Sequence, residues 1–123
     1  PLLERLTASL VPDRLEALIA SAPADTFLLA YQTLVAGYLE PTERESYRRG
    51  MLDLVGRHVV GRTMWVELEL DDARRRLPAV LTAHVRAGDG VRSLRMGRSS
   101  QHPAEIEVDV AGVAELRRHL RVG

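Results

Sequence analysis

The stretch 26–31, Thr-Phe-Leu-Leu-Ala-Tyr, most constrains the fold, because it is apolar on both faces. Such a run suits a central parallel strand covered by helices on both sides. The downstream pattern agrees with that. A short helical turn lies in 32–39, a helix in 42–55, and an alternating strand in 63–70. Strand, crossover helix and strand form a βαβ unit, whose strands are parallel neighbours. A buried helix running on to Leu39 is the competing reading, since short apolar runs do not separate helix from strand.

Local signals mark the boundaries. Pro23, within 21–25, breaks the chain before the first strand. Leu34, Val35, Tyr38 and Leu39 form one apolar face of the short turn. Thr42-Glu43-Arg44-Glu45 spells a capping box, in which the Thr42 hydroxyl accepts from the Glu45 N–H and that carboxylate reaches back. Tyr47, Met51, Leu54 and Val55 make the buried stripe of this helix. Arg44, Glu45, Arg48 and Arg49 make its wet side, and Gly56 is a natural stop.

The strand 63–70 has Met64, Val66, Leu68 and Leu70 on one face and Thr63, Trp65, Glu67 and Glu69 on the other. The second face turns acidic toward the carboxyl end, which in open α/β sheets borders the ligand crevice. The plainer reading has Glu67 and Glu69 facing solvent or pairing with Arg74, Arg75 and Arg76.

Upstream, Leu2, Leu3, Leu6 and Leu10 follow helical spacing, as do Leu15, Leu18 and Ile19. Pro12 separates the two runs. Asp13 caps the second, or the pair is one kinked helix. Downstream, 79–87 alternates, Gly88-Asp89-Gly90 supplies a tight hairpin, and 91–96 returns as its partner. After a polar loop over 97–103, 105–110 reads as a third antiparallel strand with Ile106, Val108 and Val110 inward. A closing helix over 111–120 has Asp109 as its cap, Val113, Leu116 and Leu120 inward, and Arg117, Arg118 and His119 at its carboxyl end. The expectation is one α/β domain over 1–123: a parallel βαβ unit extended by an antiparallel hairpin or meander, with helices packed on the sheet.

Composition narrows the function more than it defines it. The net charge is zero and aromatic residues make up 4%, which argues against nucleic acid as partner. No apolar run reaches membrane-spanning length, and no signal peptide is evident, so a cytoplasmic protein is expected. Cysteine, lysine and asparagine are absent, which excludes thiol nucleophiles, a Walker lysine and a Schiff-base lysine. The chain starts at Pro1, so either an initiator methionine was removed or a longer chain was cut. His58, His84, His102 and His119 lack metal-ligand spacing, so no metal is expected. His84, on the polar face of its strand, is expected at the surface or in a hydrogen bond. Gly-x-Ser-x-Gly is missing, and the Gly88–Gly90 turn joins strands and opens no helix, so it is no dinucleotide fingerprint. The arginines 74–76 offer a phosphate contact or, beside Asp71 and Asp72, a solvated charge patch.

Two segments carry a resemblance. Asp25-Thr26-Phe27-Leu28-Leu29-Ala30, followed by Leu34-Val35-Ala36-Gly37-Tyr38-Leu39, resembles the fourth strand and following segment of class I S-adenosylmethionine-dependent methyltransferases. The helix, the apolar strand after it and the hairpin over 79–96 come in the same order as in that Rossmann-like fold. More narrowly, Gly37-Tyr38-Leu39-Glu40-Pro41, Trp65-Val66-Glu67-Leu68-Glu69 and His102-Pro103 look like the C-terminal portion of an uncharacterised bacterial methyltransferase-like family, known only as a domain of unknown function. The resemblance covers about 15–108 and implies the second, acceptor-side half of the fold. The Gly-rich turn and acidic residue that hold the cofactor in that fold are missing from this sequence. It implies that Tyr31 and Gln32 line the cofactor side of the methyl-transfer crevice, and that Tyr38, Glu69 and His102 border the acceptor. Gly37 stands where many relatives carry a histidine, which removes a general base. Methyl transfer depends mostly on alignment of donor and acceptor.

A physical expectation stands apart from the family. A strand apolar on both faces with one evident neighbour leaves a bare edge. Self-association into a dimer, an N-terminal segment that completes the sheet, or a misread strand would fill it. The functional alternatives are therefore a methyltransferase-like half that is inactive without its cofactor-binding segment, and a non-catalytic interaction module.

Overall fold

The computed structural model describes residues 11–57, 62–88 and 90–120. The leucine run over 2–10, His58 and Asp89 lie outside them. Helix α1 (Val11–Ala20) leads to strand β1 (Leu28–Thr33), a 3-10 turn (Ala36–Tyr38) and helix α2 (Pro41–Arg57). Strands β2 (Thr63–Leu70), β3 (Ala79–Ala87), β4 (Gly90–Ser99) and β5 (Ile106–Val108) come next, then helix α3 (Val110–His119). The five strands form one sheet in chain order. β1 and β2 are parallel, and the later pairs are antiparallel. The expected βαβ unit with an antiparallel meander is therefore present.

Several boundaries move for local reasons. β1 starts at Leu28, two residues later than expected, because the Thr26 N–H closes a turn on Pro23 and the ladder opens with the Leu28 N–H on the Arg62 carbonyl. It runs on through Gln32 and Thr33, polar residues that β2 pairs through Glu67 and Leu68. Helix α2 starts at Pro41, whose fixed φ and missing N–H suit a first helical position. The Arg44 N–H bonds the Glu40 carbonyl, so Thr42 sits inside the first turn and is not the cap. The helix passes through Gly56 and ends at Arg57. Pro12 and Asp13 lie within the first turn of α1, where proline likewise does no harm. Gly88 turns the β3–β4 hairpin at φ 55. β4 continues to Ser99, and β5 keeps three residues, with Ile106 and Val108 exposed, not inward. Val110 opens α3, also exposed. The Asp109 side chain caps α3 as expected, accepting from the Gly112 N–H at 3.0 Å.

The core lies between α2 and one sheet face. Met51, Leu54 and Val55 bury against Trp65, with Leu15 and Ile19 of α1 packed alongside. On the opposite face, Val113 and Leu116 of α3 stand over Leu81, Ala83 and Met96. β1 is not internal. Among the described residues it has one neighbour and stands last in the sheet, and Leu29 and Tyr31 are 54% and 75% exposed on the α3 side.

Candidate functional site

The carboxyl ends of β1 and β2 carry the most organised polar structure in the described chain. Successive strand residues point to opposite faces, so Gln32 turns toward α2. Its side-chain amide donates to Glu69 Oε1 at 2.9 Å, and its carbonyl accepts from Trp65 Nε1 at 3.2 Å and from the Tyr47 hydroxyl. Glu69 also accepts from the backbone N–H of Val35 at 3.0 Å and of Ala36 at 3.1 Å. From the other side, the Arg44 guanidinium donates to the carbonyls of Ala36 and Leu39. The 3-10 turn is thus clamped between a carboxylate on its amides and an arginine on its carbonyls.

That clamp holds a strained backbone. Leu34 has φ 53, in the left-handed region, while its N–H bonds the Leu68 carbonyl at 2.7 Å. A non-glycine residue held there costs on the order of 1–3 kcal/mol, and such residues cluster at binding and catalytic sites. Leu34, Ala36, Gly37, Arg44, Glu69 and Leu70 enclose a crevice of about 210 Å³. A small-molecule site usually needs roughly 300 Å³ or more, so this crevice alone is small for one. Tyr38 stands at its turn with 90% of its surface exposed.

Beneath the crevice, the network continues inward. Trp65 stacks on His84 with ring centroids 4.4 Å apart, and Tyr47 meets Trp65 edge-on at 6.1 Å. His84 is fully buried, its Nε2 2.5 Å from Glu67 Oε2 and its Nδ1 2.7 Å from Ser93 Oγ. Arg48 donates to the same Glu67 oxygen at 3.0 Å. Placing the imidazole proton on Nε2 satisfies every partner: Glu67 accepts twice, and Nδ1 accepts from the Ser93 hydroxyl. Glu67 therefore neither faces solvent nor pairs with residues 74–76, and His84 is a core residue. Burial, with Glu67 and Glu69 nearby, pushes the Tyr47 hydroxyl up to about 12. At the same end of the sheet, Arg98 of β4 bonds Asp71 and holds its carboxyl below the usual carboxylate range.

The residues singled out in the sequence are only partly brought together. Glu69 and the turn bearing Tyr38 line one crevice wall, and Gln32 bonds Glu69 from inside. Glu69 is spent on holding that wall, which makes it a positioning group. Tyr31 points to the opposite face from Gln32, so the two do not line one surface. His102 lies exposed in the 100–105 loop, at the same sheet end but on the β4 side, with its carbonyl accepting from Ser100. Arg76 pairs with Glu105, and Arg74 and Arg75 with Asp72, as a solvated patch would. Among the described residues no three His, Asp or Glu side chains are grouped to hold a metal ion, and no helix is long and apolar enough to cross a membrane.

Tyr47, Arg44, Leu34 and the Glu67–His84 pair went unread in the sequence. The pair was legible in principle. Leu70 pairs with Ala79 and Trp65 with His84, so a β2–β3 register fixed by their connection brings the polar faces of both strands together.

No curated protein and no solved structure matches the chain. The model of a family described as an uncharacterized protein conserved in bacteria, DUF2332, matches residues 3–107. That span runs from ahead of α1 into β5, so the chain belongs to the DUF2332 family.

Proposed function

We propose that this chain is the acceptor-side part of an S-adenosylmethionine-dependent methyltransferase-like domain, with the acceptor approaching the crevice at the carboxyl ends of β1 and β2. One observation carries the reading: a strained, clamped turn at the end of a parallel strand pair presents an exposed tyrosine beside a crevice too small to be a whole site. In open α/β sheets, ligands bind at that end. Gln32 and Glu69 fix the wall, and Tyr38 offers an aromatic face and a hydroxyl to an acceptor. The rest of the site, including whatever holds the cofactor, comes from outside these residues. Among the described residues lining the crevice, no group is free to act as a general base. The chemistry asked of the chain is alignment, which suits methyl transfer.

Titration calorimetry of S-adenosylhomocysteine against the protein purified from its own cells tests this. Micromolar binding is expected, with Tyr38→Ala leaving the fold and that affinity intact while lowering transfer of labelled methyl groups to cell extract. No binding contradicts the proposal. It would favour the second reading, a non-catalytic interaction module, which the exposed apolar residues of β1 support.

A further inference from the structure

We propose that the open edge of β1 receives another strand running parallel to it, supplied by the part of the same chain that precedes α1. Packing alone supports this, whichever ligand the crevice takes.

The first observation is the direction of α1. Pro12, at its start, lies against Gly50 in the middle of α2, and Glu16, one turn on, pairs with Arg57 at the end of α2. The two helices therefore run the same way on the same sheet face, where Leu15 and Ile19 join the core around Trp65. Helix α2 is the crossover from β1 to β2. A neighbour of the same direction, on the same face, feeding directly into β1, has the placement of the preceding crossover. Crossovers between parallel strands are right-handed almost without exception. With both helices on one face, successive strands step the same way across the sheet. A strand that leads into α1 thus lies on the side of β1 opposite β2, the side of the open edge, either beside β1 or beyond a further strand of the same sheet.

The second observation is that the edge is unprotected. Residues 28–33 contain no charge and no proline, the usual guards of a true edge. The Leu28 and Leu34 N–H groups bond Arg62 and Leu68 on the β2 side. By the alternation of a parallel ladder, Leu29, Tyr31 and Thr33 direct theirs outward. Leu29 and Tyr31 also expose their side chains, next to an apolar groove of about 380 Å³ running over Met64, Val66 and Leu68 toward α3. Self-pairing of two β1 edges would be antiparallel and would leave α1 without a strand to cross from.

The test is made on the protein purified from its own cells, in a particle whose mass gives the number of copies of this sequence. The amides of Leu29, Tyr31 and Thr33 should exchange more than about tenfold slower than unpaired edge amides, in a particle holding one copy. Tyr31→Pro should lower the melting temperature and speed exchange at Leu29 and Thr33, because a paired edge needs that donor. Fast exchange of the three amides in the unaltered protein overturns the proposal. So does Tyr31→Pro melting with wild type, or protection found in two-copy particles and lost on dilution.

Discussion

Glu67 joins Arg48 from the helix and His84 from the next strand at a single oxygen. The two contacts differ in weight. His84 is fully buried, while the Arg48 side chain is 47% exposed. A buried donor left without its acceptor costs roughly 1–3 kcal/mol, whereas an exposed ion pair is worth about 0–1 kcal/mol. Glu67→Ala is therefore expected to destabilise by about 2 kcal/mol or more, and Arg48→Ala by less than about 1 kcal/mol. Urea unfolding of both variants checks the ranking, and equal losses would contradict it. Tyr47 gives a pH test. Its folded-state value, about 12, lies above the ordinary 10.0. The folded protein then holds this proton more tightly than the unfolded chain, so the contribution is present below pH 10.0 and is lost as pH rises toward about 12. Stability should fall across that window and fall less in Tyr47→Phe, with phenolate absorbance reporting the titration. Tyr47 was legible on the inward stripe of α2, and His84 as a surface or hydrogen-bonded residue. The partner of His84 was not legible residue by residue, and only the register of β2 on β3 joins it to Glu67.

At the scale of elements, the sequence was most readable where periodicity was strong. β2 and β3 run over the residues expected, as does the α2 stripe of Met51, Leu54 and Val55. It was least readable where a few residues compete, as at the start of β1, the Thr42 box and the three-residue β5. There, single turns and pairings decide, and these depend on neighbours distant in the chain. The α1–α2 crossing shows the same dependence. Glycine within a helix normally loses about 1 kcal/mol to alanine, so Gly50→Ala looks stabilising from sequence. A Cβ there would stand 2.7 Å from the Pro12 ring, which is rigid. Gly50→Ala should therefore loosen α1, seen as faster amide exchange over residues 14–20 and no gain in melting temperature. A stabilised variant with α1 unchanged would contradict the close crossing.

For the whole molecule, the sequence carried the architecture and an unbalanced edge, and the residues it singled out fall on both faces of the sheet. The resemblance implied that Tyr31 lines the crevice. Strand alternation puts it on the α3-side face of the last described strand, exposed. An apolar strand with nothing on one side is a poor end state for a folded protein. Two parallel helices and an open edge among the described residues support the proposal that this sheet continues beyond β1. Residue-resolved amide exchange along β1, in the protein purified from its own cells, separates a continuing sheet from one that stops there. A sheet that continues predicts uniformly slow exchange from Leu28 to Thr33. A sheet that ends at β1 gives an alternating pattern, with Leu28, Ala30 and Gln32 slow and Leu29, Tyr31 and Thr33 fast, and that pattern would contradict a continuing sheet.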